Sequence, residues 1–256
     1  MNHKKLYIVL FAFSLACFMI LCGFAHQWKQ FLTVDKVEVE GNYILQQQDV
    51  ISLSGIPLGK EIFQVSLDSV RMYIKTNSYV EDVHVSRILP GIIHIQLVER
   101  QPIASLMLSK QYYLDKNGNL LPKISTDVIM DLPVITGVNI DAKNISFGNK
   151  IPEMDVYSAL QILETANSLN REIYDFISEV NLNYGNDITI YSSDCGIPIN
   201  LGRDEYQKKL LLTYTFWKQH VSKRGAENLK SVDVRFSDQI VVIWKNEINK
   251  TADTKI

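Results

Sequence analysis

At 256 residues the chain has room for one large domain or two small ones. Its composition, 46% hydrophobic and 21% charged, is that of a folded protein and excludes a disordered chain. A formal charge of −2 and a pI near 6.2 provide no basic surface of the kind that holds nucleic acid.

The mean hydropathy near zero conceals an apolar excess at the N-terminus. Residues 6–25 contain no charge, and a helix of about 20 residues crosses the ~30 Å hydrocarbon core of a bilayer. Lys4 and Lys5 precede the run, so the positive-inside rule places residues 1–5 in the cytoplasm as a short tail. Trp28 suits the outer interface. A cleaved signal peptide is the competing expectation, because Gly23-Phe24-Ala25 is a small-x-small site. Its apolar core is normally about 7–15 residues, and the longer run here favours a retained single-pass anchor. Neither Cys17 nor Cys22 follows a convincing lipidation sequence. With those two inside the run, Cys195 has no intrachain disulfide partner, and no zinc framework exists.

From Thr33 the pattern becomes globular. Val37 and Val39 alternate with charged residues up to Gly41-Asn42, a strand and its stop. Short helices are expected over residues 47–53 and from about Ser66, the second with Leu67, Val70 and Ile74 on one face and Asp68 in its first turn. Val83 and Val85 alternate with His84 and Ser86, Leu89-Pro90-Gly91 turns the chain, and Ile93, Ile95 and Leu97 alternate with His94 and Gln96. This is a hairpin with one apolar face, closed by Glu99-Arg100-Gln101-Pro102. The order strand, helix, helix, strand, strand makes a small α+β domain over residues 33–103.

After Pro102 the expected elements are short strands over 104–108 and 112–114, an Asn117-Gly118 hairpin turn before Leu120-Leu121, and an apolar piece at 131–137. A helix opens near Pro152 with Val156, Ala159, Leu160 and Leu163 inward. Strands follow at 178–183, 188–192 and 197–201. Asp204 is expected to cap a longer helix striped by Tyr206, Leu210, Tyr214, Trp217 and Val221 and ended by Gly225. Strands at 231–236 and 239–244 complete a second domain over 104–245, an extended antiparallel sheet with two helices. Residues 246–256 are polar and expected to be disordered.

These phrases, taken in order, resemble the FtsQ/DivIB family of bacterial cell-division proteins over essentially the whole chain. Val37-Glu38-Val39-Glu40-Gly41-Asn42 is similar to the opening phrase of a POTRA domain. Tyr79 through Arg87, Leu89-Pro90, and Val98-Glu99-Arg100-Gln101-Pro102-Ile103-Ala104 are similar to its closing phrase. In the second domain Tyr113-Leu114-Asp115 with Gly118, Leu132-Pro133 with Gly137, and Val232-Asp233-Val234-Arg235-Phe236 fall in family order. Two features depart from it: the short tail puts tail-mediated contacts in doubt, and Phe236 stands where a tyrosine is common.

No residue set supports catalysis, a cofactor or a metal. The histidines, His3, His26, His84, His94 and His220, have no ligand spacing, and His84 and His94 lie on the polar face of the hairpin. Gly55 to Lys60 lacks one spacer residue and the Ser or Thr of a phosphate loop. Asp115 to Asn119 has its glycine two positions too early for a calcium loop and no closing glutamate. Cys195 and His220 lack an orienting third group.

The last strand stands apart. Ile240, Val241, Val242 and Ile243 are apolar at successive positions and Trp244 comes next, so the strand is either central and covered on both faces or a terminal edge open to another chain. The resemblance implies the second. Relatives bind the small division proteins FtsB and FtsL near the corresponding strand, which places partner binding on Arg235, Phe236, Gln239, Ile240, Val241, Val242, Ile243 and Trp244, by strand addition. The third strand of the first domain, residues 92–98, is a second candidate edge. The function so implied is a non-enzymatic, single-pass inner-membrane scaffold at the division septum. Its two domains would lie in the periplasm and link early division proteins to septal peptidoglycan synthesis. The alternative is a POTRA-bearing component of protein export or outer-membrane assembly, which needs several POTRA units or a following barrel.

Overall fold

The computed structural model describes residues 3–29, 32–123, 130–140, 145–236 and 239–245. The expected tail at 246–256 lies outside them. The chain divides into two compact units, Met1–Arg100 and Gln101–Ile256.

The first unit opens with helix α1, His3–Lys29. Residues 10–23 along it are all exposed, Phe11, Phe13 and Phe18 among them. Among the described residues no helix is long and apolar enough to cross a membrane. The helix begins at His3 and so includes Lys4 and Lys5.

The globular part of this unit comprises β1 (Lys36–Glu40), α2 (Gln47–Ser54), α3 (Leu67–Ile74), β2 (Val80–Ile88) and β3 (Ile92–Glu99). The order is the expected one because each element carries its own period. In α3 Val70 and Ile74 are buried one turn apart, and the Ser66 side chain accepts the Ser69 amide at the helix start. In the hairpin Val83 faces Leu97 and Val85 faces Ile95, and these join Val37, Val50, Val70 and Ile74 in one core. The strand order is β1-β3-β2. This corrects the expectation that residues 92–98 form an edge. The two-helix crossover returns the chain so that β1 pairs in parallel with β3, Val37 opposite Ile93 and Val39 opposite Ile95, and β3 is the central strand.

The second unit holds β4 (Pro102–Met107), β5 (Gln111–Asp115), β6 (Leu120–Leu121), β7 (Val134–Thr136), α4 (Met154–Leu169), α5 (Arg171–Asp175), β8 (Ile177–Asn181), β9 (Thr189–Ser192), β10 (Pro198–Asn200), α6 (Tyr206–Phe216), a π-helical turn at Trp217–Val221, α7 (Ser222–Arg224), β11 (Leu229–Asp233) and β12 (Val241–Trp244). Pro102 is the first residue of its strand, where the missing N–H costs least. The sheet runs β12-β11-β10-β9-β8-β7-β4-β5-β6.

It is mixed, not the antiparallel sheet expected. β4–β7, β7–β8 and β10–β11 are parallel pairs. Helices impose two of these: α4 and α5 carry the chain from β7 to β8 and α6 carries it from β10 to β11, and a crossover of that kind returns the next strand in the same direction. More helices are present than the two expected. Asn170, in extended backbone, ends α4, and its side chain accepts the Glu172 amide to start α5. Asp204 does not cap α6; it takes the ammonium of buried Lys209, and Glu205 occupies the cap position with φ 47°. The core gathers Leu106, Leu114, Ile135, Leu160, Leu163, Val180, Ile190, Ile199, Leu210 and Val232 from the sheet and the helices over it.

Candidate partner-binding edge

β12 is the terminal strand of the nine-stranded sheet and pairs only with β11 among the described residues. At the far margin the short β6 is covered: Leu120 donates to the Asn149 carbonyl and accepts from the Gly148 amide. One margin is therefore closed by the chain's own backbone, while the outer side of β12 has no main-chain pairing among the described residues.

The side chains of β12 separate by parity. Trp244 is 8% exposed and Val242 packs against the core, whereas Val241 and Ile243 are 45% and 43% exposed. A strand apolar on both faces is thus covered on one face only, with an unpaired edge beside the uncovered one. The register Val232–Val242 and Asp233–Val241 aligns the outward Val241 with Asp233. Ile240 packs partly on the core, while Gln239 is exposed and lies, with Ile240, just before the strand.

Arg235 and Phe236 lie in the connection between β11 and β12 and do not belong to a strand. Phe236 is 52% exposed. The Arg235 guanidinium donates from Nε to Asp233 Oδ1 at 3.0 Å and from Nη1 to Asp187 Oδ2 at 2.8 Å. These two carboxylates raise the Arg235 pKa, and Arg235 in turn holds Asp233 below the ordinary 3.8. The charge is largely answered within the fold. An open cleft of about 510 Å³ lies alongside, lined by Asp187, Gly202, Arg203, Asp204, Lys209, Arg235 and Phe236.

The eight residues read from the sequence therefore fall at one corner of the second unit but in different roles. Val241, Ile243, Gln239 and Phe236 face outward, Ile240, Val242 and Trp244 pack toward the core, and Arg235 braces the turn. Asp187 had no signal in the sequence, because its partner Arg235 is 48 residues away.

The other chemically capable residues do not converge. His94 Nε2 lies 3.6 Å from Glu40, and His220 stacks on Phe216 with ring centroids 5.4 Å apart. Cys195 sits in left-handed backbone with φ 61°, and desolvation together with neighbouring Asp194 raises its thiol pKa. Asp115 accepts the amides of Asn117 and Asn119 and the Asn119 side chain, a closed turn of protein donors. No group of His, Cys, Asp and Glu among the described residues could hold a metal ion.

Residues 32–100 match the family described as POTRA domain, FtsQ-type, and residues 101–242 match FtsQ/DivIB, C-terminal related. The chain is 29% identical over 213 residues to the Cell division protein FtsQ of Geotalea daltonii, covering 83% of this chain and 76% of that one. It is 28% identical over 229 residues to the protein of the same name from Syntrophotalea carbinolica, covering 90% and 79%. A third, from Rhodothermus marinus, is 22% identical over 231 residues, covering 88% and 82%.

Proposed function

The chain belongs to the FtsQ/DivIB family of cell-division proteins, and from that premise we propose that it is a scaffold of the division machinery that binds FtsB-like and FtsL-like partners by adding a strand to β12. The family is not known as enzymatic. The observation that carries the proposal is the open edge of β12 with Val241 and Ile243 exposed beside it. Strand addition would satisfy the free main-chain groups, and the two outward side chains would select apolar residues at alternate positions of the incoming strand.

The uncharged run at residues 6–25, within a helix whose described apolar side chains are exposed, supports a single-pass anchor in the inner membrane. The anchor would have its N-terminus in the cytoplasm and both units in the periplasm at the septum. The POTRA domain would serve recruitment, and the second unit would link early division proteins to septal peptidoglycan synthesis. The export and assembly alternative has less support, because both family matches are of the FtsQ type and together span residues 32–242.

The test is Ile243→Asp in the full-length protein, with binding of the purified FtsB-like–FtsL-like pair of the same bacterium as the readout. Ile243 faces outward, so the variant keeps its fold by circular dichroism and is expected to lose binding at least tenfold. Binding equal to that of the unaltered protein would remove β12 from the interface.

A further inference from the structure

A strand that waits unpaired at a sheet margin must be held straight if a second chain is to add to it without a large ordering cost. β12 is only four residues long and joins the sheet on one side. Its pairing is interrupted at its C-terminal end, where a bulge separates the Leu229–Trp244 pair from Ser231–Ile243. The regular ladder with β11 is therefore broken where the strand leaves the sheet.

A different contact closes that end. The Arg224 guanidinium lies over the Trp244 ring at 4.0 Å from its centroid, a cation–π stack that also shields the indole from water. Lys245 Nζ donates to the Glu227 carbonyl at 2.8 Å, tying the next residue to the same short connection. The helix geometry delivers Arg224 to this place. After α6 the chain makes a wide turn at Trp217–Val221, where Ser222 bonds back five residues to the Trp217 carbonyl. An extra residue in a turn rotates the next turn by roughly 100° around the helix axis. α7 then ends at Arg224, and Gly225, at φ 89°, lets the chain leave toward β11. The Asn228 side chain donates to the Arg224 carbonyl at 2.9 Å and fixes the backbone beneath the guanidinium.

We propose that Arg224 is a positioning residue for the partner-binding edge: stacked on Trp244, it keeps the C-terminal end of β12 in strand geometry before a partner strand arrives. The inference rests on the partner-binding role of β12. Arg224 contacts no partner in this scheme. It acts through Trp244, whose indole is 8% exposed and forms part of the core.

The experiment compares full-length protein, Arg224→Ala, Arg224→Lys and Ile243→Asp in detergent micelles. One readout is hydrogen exchange at the amides of residues 241–244 in the free protein. The other is affinity for the purified FtsB-like–FtsL-like pair. Arg224→Ala is expected to exchange faster at those amides only and to bind roughly three- to tenfold more weakly. Arg224→Lys, which keeps a cation over the ring, falls between. Unchanged exchange in Arg224→Ala overturns the proposal, and so does weaker binding without faster exchange, since that result makes Arg224 a direct contact. If Ile243→Asp binds normally, the partner-binding reading of β12 fails. The exchange result in the free protein still decides whether Arg224 holds the strand.

Discussion

Glu99 illustrates how one side chain can order a segment remote in sequence. Its carboxylate is 6% exposed and accepts three successive backbone amides, Tyr43 at 2.9 Å, Ile44 at 2.6 Å and Leu45 at 2.9 Å. It fills an anion-binding nest made by the chain itself. Gly41 opens this loop with φ 79°, and a Cβ there would stand 2.2 Å from the Leu97 carbonyl oxygen. The Gly41-Asn42 stop was legible as turn chemistry; the capture of the following loop by Glu99 was not, because no local period links residues 54 to 56 apart. Hydrogen bonds to a charged group contribute about 1.5–3 kcal/mol, and buried donors left unmatched add to the loss. Glu99→Ala is therefore expected to destabilise the first unit by about 3 kcal/mol in urea unfolding, and Glu99→Gln by less because it keeps an oxygen acceptor. A change below about 0.5 kcal/mol in Glu99→Ala would contradict the role assigned to the nest.

At the scale of elements, β12 is decided by its neighbours. Val241, Val242, Ile243 and Trp244 read as a strand from composition, but with Ile240 the apolar positions run without a break and leave central and edge placements equally open. Placement at the sheet margin resolves them into an inward pair and an outward pair. The same distinction predicts opposite outcomes for similar substitutions. Val242→Asp puts a charge into a covered face and is expected to lower the unfolding midpoint of the second unit, whereas Ile243→Asp is expected to leave it within experimental error and to act on binding alone.

The turn leading into β12 carries its own pH dependence. Arg235 lowers the Asp233 pKa in the folded chain, so the stabilisation is complete above the unfolded value of 3.8 and is lost as pH falls through the lowered value. The stability difference between unaltered protein and Arg235→Ala should be flat above about pH 4 and shrink below it. A difference that grew on acidification would have the wrong sign for this pairing.

For the whole molecule, each unit owns a separate core. The first core is built, among the described residues, from thirteen buried side chains such as Val37, Val70, Ile93 and Ile95, a small core of the size that gives marginal stability. The second spreads under a nine-stranded sheet. Fragments 32–100 and 101–245, expressed apart, are each expected to unfold cooperatively in urea. Glu99→Ala should alter only the first and Val242→Asp only the second. A fragment without a cooperative transition would mean that its core is not sufficient.

Local elements and their order were already written in the amino-acid order: alternation along 83–97 made the hairpin, spacing of Leu67, Val70 and Ile74 made α3, and ordered phrases marked the family. These signals survive in one dimension because period and turn chemistry act between residues a few positions apart. Only the assembled fold put β1 beside β3, made the second sheet mixed, left β12 with one bare face, and brought Arg235 to Asp187 and Arg224 to Trp244. Those outcomes depend on which surfaces bury each other across tens of residues, and packing selects them only when the whole core is assembled.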